Sequence, residues 1–128
     1  MAAQSYRDLE VWKKAMDLVV AVYAVTEELP VQERYGLAGQ MQRAAVSVPA
    51  NIAEGYGRTH RGEYTYHLSV ARGGLAELET LLAIAVRLKF ASRQRVLEIW
   101  GQCQAVGKML RKLFEVLQQG PKPKRAKS

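Results

Sequence analysis

The sequence has little cysteine and no long hydrophobic run, and each absence excludes a class of protein. Cys103 is the only cysteine among 128 residues, so the chain cannot form an intramolecular disulfide and shows no sign of an oxidising compartment. No run approaches about 18 consecutive apolar residues, so we expect no membrane-spanning helix. The first ten residues, MAAQSYRDLE, lack the apolar core of a secretory signal. We therefore expect a soluble, cytoplasmic protein.

Acidic residues are scarce relative to basic ones. The chain has 19 lysine and arginine residues against 12 aspartate and glutamate residues, a formal net charge of +7. Four of the basic residues fall in the last seven positions, namely Lys122, Lys124, Arg125 and Lys127. The rest of the chain has 15 basic and 12 acidic residues, a net charge of +3. Much of the basicity therefore belongs to a tail. Its nearly apolar-free sequence predicts that residues 121–128 are disordered beside a domain of residues 1–120.

Apolar residues recur every three or four positions along four segments, which is the spacing of amphipathic helices. Ser5 and Asp8 are both N-cap candidates for the first segment. We expect this helix to end at Leu29, because Pro30 disfavours the helical conformation in the residue before it. The helix has no internal glycine or proline.

The third and fourth segments are the longest. Thr59 is the N-cap candidate of the third, which continues without proline to about Lys89 and carries two neighbouring apolar lines. Two lines suit a central helix with two packing faces, or a helix that also meets another subunit. Ser92 is the N-cap candidate of the fourth segment. Short links and the lack of a strand pattern predict an all-α protein, an antiparallel up-down-up-down four-helix bundle.

The second segment carries an apolar line and a polar line side by side. We expect it to begin near residues 32–34, to kink or restart at Pro49, and to stop at residues 55–57, where glycines suit a left-handed C-cap. Five polar residues at helical spacing predict a mostly buried polar network, in which glutamates of the third helix pair with arginines. The residues of this network are Gln40, Arg43, Ser47, Asn51, Glu54, Arg72, Glu77 and Glu79.

Few residues converge on catalytic or metal chemistry. His60, Glu63 and His67 share a helix face and have the side chains of zinc ligands, but no closing ligand is evident. No nucleophile elbow and no phosphate-cradling loop of the Walker kind occurs. We therefore expect no enzymatic activity, no cofactor and no metal site.

Several motifs resemble those of a known family. They are DLEVW at positions 8–12, ERYGL at 33–37, RAAVSVP at 43–49 and NIAEG at 51–55. The run from 43 to 55 is the specific part, and with residues 71–79 the motifs cover most of positions 8–90. The chain resembles the four-helix-bundle proteins often encoded in intervening sequences of 23S ribosomal RNA genes. Gly74 departs from the pattern, since the family often has serine there.

The resemblance implies a closed four-helix bundle that assembles as a homopentamer. It also implies kinship with the accessory proteins of diversity-generating retroelements, which bind nucleic acid and a reverse transcriptase. It implies no enzymatic reaction. An adaptor that docks another protein, such as a reverse transcriptase, without touching nucleic acid is the alternative function.

The resemblance is the main reason to expect binding to RNA or DNA, and the basic charge is consistent with it. Basic side chains supply partners for phosphate groups, and no sequence-reading motif is present, so binding should be electrostatic and weakly selective. Tyr56 and Tyr64 are candidates for stacking on unpaired bases. The predicted nucleic-acid-binding residues are Arg58, Arg61, Lys108, Arg111, Lys112, Lys122, Lys124, Arg125 and Lys127.

Overall fold

Four helices account for most of residues 5–119, the part of the chain that the computed structural model describes, and no strand occurs there. They are α1 (Glu10–Thr26), α2 (Leu37–Tyr56), α3 (Arg61–Arg87) and α4 (Arg93–Gln119). Short 3-10 turns at Tyr6–Asp8 and Val31–Glu33 precede α1 and α2.

The helices pack as the sides of a square. α1 contacts α2 and α4, α3 contacts the same two helices, and among residues 5–119 neither diagonal pair approaches closely. Because short links join consecutive helices, neighbours run in opposite directions. The predicted antiparallel up-down-up-down bundle is confirmed.

The core lies along the bundle axis, where each helix contributes one apolar face. One of the two apolar lines predicted for α3 and the line predicted for α4 are buried over most of their length, which confirms the 3.6-residue period. The second line of α3 is largely exposed, at Val70, Ile84 and Leu88. The largest side chains that lose nearly all contact with solvent are Leu18, Val22, Val25, Met41, Val48, Ile52, Leu68, Leu78, Leu82, Val96, Val106 and Leu110.

The ends of α1 differ slightly from the prediction. Ser5 accepts a hydrogen bond from the N–H of Arg7 at 3.1 Å, so it caps the 3-10 turn, and Asp8 is the last residue of that turn. The α-helix ends at Thr26, not at Leu29. The N–H of Leu29 still bonds the carbonyl of Thr26 at 3.1 Å, so the chain leaves the helix through a hydrogen-bonded turn.

α2 begins later than residues 32–34, because a Glu33 carboxylate oxygen accepts the N–H of Leu37 at 3.0 Å and caps the helix there. The helix continues through Pro49, so it does not restart, and a bend at this residue stays a prediction. The expected left-handed C-cap is wrong. Gly57 has φ −79° and ψ −3°, a right-handed conformation that leads directly into the link before α3.

Within residues 5–119, the non-glycine residue with a left-handed conformation is a lysine at the end of α3. Lys89 has φ 63°, and its N–H bonds the carbonyl of Val86 at 2.9 Å. The N–H of Phe90 bonds the carbonyl of Ala85 at 2.9 Å. This pair of bonds is a Schellman motif, which satisfies the last carbonyls of the helix and reverses the chain toward α4.

Of the two N-caps predicted for the long helices, one is wrong and one is confirmed. His60, not Thr59, is the N-cap of α3. Ser92 caps α4 as predicted, since its hydroxyl oxygen accepts the N–H of Arg95 at 3.2 Å. The predicted disordered tail at 121–128 lies outside the described residues.

Candidate nucleic-acid interface

The polar line of α2 follows the seam between α2 and α3. Asn51 donates its side-chain N–H to the carbonyl of Ser47 at 2.8 Å, and its Oδ1 lies 3.0 Å from Nδ1 of His67 on α3. Because the Asn51 amide nitrogen is already a donor, its oxygen accepts from His67. The histidine therefore carries a proton on Nδ1, and this hydrogen bond ties the two helices together.

Two glycines allow the close approach of α2 and α3. A Cβ atom on Gly74 would lie 2.3 Å from the Oγ of Ser47, and one on Gly55 would lie 2.9 Å from the Cβ of His67. Both distances are far below van der Waals contact, so the seam requires glycine at these positions. At position 74, where the resemblance leads us to expect serine, the hydroxyl of Ser47 fills the space.

Most of the predicted polar network lies on the surface of the single chain. Ser47 and Asn51 are half-buried, but the side chains of Gln40, Arg43, Glu54 and Glu77 are exposed. Glu54 pairs with Arg58 instead of a network partner. One chain therefore does not contain the mostly buried network that we expected, because the apolar line of α2 takes the core-facing side and leaves the polar line at the outer edge. Burial against a second chain stays a prediction.

The remaining network residues belong to a groove between α3 and α4. Arg72 and Glu79 of α3 line it together with Lys108 and Arg111 of α4, around a space of about 300 Å³. The Arg72 guanidinium lies 5.8 Å from the ring centroid of Phe114, a cation–π contact that holds it over α4. Three cations and one carboxylate thus converge on one groove. Its chemistry suits an anionic ligand.

Cys103 lies at the floor of this groove and is fully buried. Burial, and to a smaller degree the charge of Glu79, raises the pKa of the Cys103 thiol to about 12. The neutral thiol behaves as a small apolar core group, so nucleophilic chemistry there is unsupported.

The other predicted nucleic-acid contacts lie at one end of the bundle. Arg58 follows the end of α2, Arg61 begins α3, and Lys112 stands exposed beside Arg111 near the end of α4. Antiparallel packing brings these three helix ends together. Lys13 and Lys14, which are not among the predicted contacts, lie on the first turns of α1, toward the same end.

Charge is divided unevenly along the bundle axis. The two halves meet near the level where Gly74 faces Ser47. The basic half, residues 5–18, 50–72 and 101–119, has nine basic and six acidic residues. The neutral half, residues 19–49 and 73–100, has six of each. The whole net charge of the described chain therefore belongs to the basic half, from which α4 continues toward the four basic residues of the tail sequence.

Exposed aromatic surface is available in the basic half, but not at the tyrosines that the sequence indicated. Tyr56 and Tyr64 contact each other edge-to-face, with centroids 6.1 Å apart. Burial, and to a smaller degree Tyr56, raises the pKa of Tyr64 to about 12. Tyr66 is instead 63% exposed. Its position outside the apolar lines of α3 was the signal that could have identified it.

Comparison with known proteins agrees with the fold and with the resemblance. The family model of the 23S rRNA-intervening sequence protein matches residues 7–112. The chain belongs to this family. A similar solved structure is the 1.70 Å crystal structure of a protein with unknown function from the S23 ribosomal protein family of Bacteroides thetaiotaomicron VPI-5482. It has a TM-score of 0.77 and 21% sequence identity, over 83% of this chain and 99% of that chain. No curated protein matches.

Neither the description of the 23S rRNA-intervening sequence protein family nor that of the solved structure names an enzymatic activity. Within residues 5–119, no group of three or more histidine, cysteine, aspartate or glutamate side chains is placed to hold a metal ion. His60, Glu63 and His67, whose types suit zinc ligands, do not make up such a group. No helix in the described part of the chain is long and apolar enough to cross a membrane.

Proposed function

We propose that this 23S rRNA-intervening sequence protein binds RNA or DNA through the basic half of its bundle and its basic tail, and that it catalyses no reaction itself. The observation that carries the proposal is the uneven charge. The body has a net charge of +3 in one half and zero in the other. An acidic partner is drawn to the basic half by long-range attraction before any specific contact forms.

The cations that line the groove between α3 and α4 are the part of the basic half best suited to a phosphate backbone. Lys108 and Arg111 have no ion pair or hydrogen bond through their side chains within residues 5–119, so they are available to displace counterions from phosphate. Arg72, held by Phe114, adds a third cation. Such contacts do not read base identity, so we expect low sequence selectivity.

Self-association into a homopentamer belongs to the same proposal. Its support in this chain is an exposed apolar line on α3, where Val70, Ile84 and Leu88 are 37%, 39% and 53% exposed. The number five follows from the family resemblance. Five copies present five basic surfaces, and simultaneous binding strengthens attachment to one strand. Light scattering should give a mass several times that of the 14.3 kDa chain, and a monomer at micromolar concentration would contradict this part.

The same apolar line favours a second candidate function, that of an adaptor docking another protein such as a reverse transcriptase. Salt distinguishes the two candidates. Binding through phosphate contacts weakens steeply as ionic strength rises, whereas burial of apolar surface does not.

Two triple variants with the same loss of charge test the placement of the interface. One replaces Lys108, Arg111 and Lys112 of the basic half by glutamine. Its matched control makes the same change at the exposed Arg34, Arg87 and Arg93 of the neutral half. The first variant should flatten the slope of log affinity against log salt by about 2 for single strands, since each phosphate contact contributes about 0.7. The control should leave the slope nearly unchanged.

The measurement is fluorescence anisotropy with labelled RNA and DNA across a salt series. Equal effects of the two triple variants would show that the basic half does not direct binding. If the wild-type chain binds neither RNA nor DNA even at about 50 mM salt, the proposed function is wrong and the adaptor takes its place.

A further inference from the structure

We propose that the ligand of the basic half is single-stranded nucleic acid, and that an unpaired base stacks on Tyr66. This inference rests on the proposed function and narrows its ligand class. Duplexes and single strands both offer phosphate groups to the cations. Only a single strand, or an unpaired region, also offers an exposed base to an aromatic side chain.

Tyr66 has the exposure that stacking requires. It projects from α3 in the basic half and is 63% exposed. Its ring meets the ring of His67 at a centroid distance of 5.3 Å and an interplanar angle of 76°. An edge-to-face contact covers at most one face of the tyrosine, so a base can lie flat against the other face.

The neighbour of Tyr66 is held in place by the seam. His67 donates its Nδ1–H to Oδ1 of Asn51 at 3.0 Å, and Asn51 is itself held by its bond to the carbonyl of Ser47. The ring that borders Tyr66 therefore has a fixed orientation. Contact with this fixed ring limits the motion of the Tyr66 side chain before binding. The entropy cost of ordering Tyr66 against a base is therefore lower.

The position of Tyr66 relative to the groove suits a flexible strand. Tyr66 and Arg72 are six residues apart on α3, which separates them by about 9 Å along the axis and about 120° around it. A single strand can turn its backbone toward Arg72 while one of its bases lies on Tyr66. A duplex keeps its bases paired and stacked inside, so it cannot make the second contact without opening.

Three substitutions test the inference by anisotropy with a labelled oligothymidylate and with a duplex of the same length, at one salt concentration. Tyr66→Ala should weaken single-strand binding about five- to 150-fold, the effect of losing one base stack, and should leave duplex binding nearly unchanged. Tyr66→Phe keeps the aromatic face and should bind like the wild-type chain. Tyr35→Ala is the matched control, because Tyr35 is 87% exposed but lies in the neutral half, and it should have no effect.

The outcomes separate this inference from the proposed function. If the Lys108, Arg111 and Lys112 triple variant weakens binding but Tyr66→Ala does not, the inference is overturned and the proposed function stands. An equal loss for duplex and single strand would also overturn the inference, since it would show a general effect on the surface. If the wild-type chain binds neither probe, both fail. Circular dichroism and thermal unfolding of each variant check that the bundle is intact.

Discussion

Gly73 and Gly74 are neighbours in α3, but their surroundings differ completely. A Cβ atom on Gly73 would have no atom within 4 Å, whereas one on Gly74 would lie 2.3 Å from the Oγ of Ser47 and 3.3 Å from the carbonyl oxygen of Ala44. Gly73 is exposed and Gly74 is buried. A substitution at Gly73 therefore changes only the helix propensity, whereas a substitution at Gly74 also changes the packing of α3 against α2.

We predict opposite effects of alanine at these two positions. Gly73→Ala should stabilise the chain by up to about 1 kcal/mol, because alanine is the better helix former and meets nothing. Gly74→Ala should destabilise it by about 1–3 kcal/mol, because Ser47 must rotate away from its bond to Ala44 and the seam must widen. Urea unfolding measures both changes.

Ser47→Ala supplies the control for the second substitution. In the Gly74→Ala background it removes the hydroxyl that the new methyl group meets, so it should recover part of the stability. A double variant no more stable than Gly74→Ala alone would show that the contact with Ser47 is not the cause.

From the buried thiol of Cys103 we predict how the stability of the chain changes at alkaline pH. Burial raises its pKa from 9.0 to about 12. Well below pH 9 both the folded and the unfolded chain keep the thiol proton, so its contribution to stability is constant. Between pH 9 and about 12 the unfolded chain releases the proton while the folded chain keeps it. The free energy of unfolding must therefore fall as pH rises through this window, by at most about 1.4 kcal/mol per pH unit from this thiol.

Cys103→Ala isolates that contribution, because the other groups that titrate in this range, Tyr64 included, are common to both proteins. The wild-type chain should be the more stable at about pH 8, since alanine leaves a small cavity. Its advantage should narrow toward about pH 10.5. A constant difference in unfolding free energy across this range would show that the thiol is not protected from ionisation in the folded state.

At the scale of the helices, the sequence predicts faces better than ends. The apolar lines of α3 and α4 follow from a repeat of about 3.6 residues, and every turn of the helix adds to that signal. The position of a helix end, in contrast, depends on a single local feature such as one capping hydrogen bond. Glu33 caps α2, Ser92 caps α4, and Lys89 takes a left-handed conformation more typical of glycine. Ser92 was predictable because serine is a common N-cap residue. The roles of Glu33 and Lys89 were not, because neighbouring residues offer nearly equal alternatives for the helix ends.

The candidate site was predictable only in part, for a related reason. The sequence identifies which side chains are basic or aromatic, but the contact between Asn51 and His67 joins positions 16 residues apart on two helices. Its formation depends on the rotation and register of α2 against α3, which no pattern within one helix determines. The same holds for Arg72, which the sequence placed in a polar network and which instead joins Lys108 and Arg111 in the groove.

At the scale of the molecule, the antiparallel directions of the helices bring basic residues from separate parts of the sequence onto one surface. Basic residues are spread over the chain, and the body has a net charge of only +3. The antiparallel fold brings residues 5–18, 50–72 and 101–119 into one half, where that excess is concentrated. The net positive charge lies in the first part of α3 and is larger in the second part of α4. Because these helices are antiparallel, the two parts lie in the same half of the bundle.

Removal of residues 121–128 tests whether the tail and the basic half act on the same ligand. The deletion removes four positive charges, so it should flatten the salt slope by up to about 3 for a single strand, because each phosphate contact contributes about 0.7 to that slope. A full-length variant with glutamine at Lys122, Lys124, Arg125 and Lys127 controls for length and should behave like the deletion. Circular dichroism and light scattering should be unchanged for both, because the tail sequence has almost no apolar side chain to contribute to the core or to a subunit interface. An unchanged salt slope in both variants would assign the phosphate contacts to the bundle alone, whereas dissociation of the oligomer would show that the tail takes part in assembly.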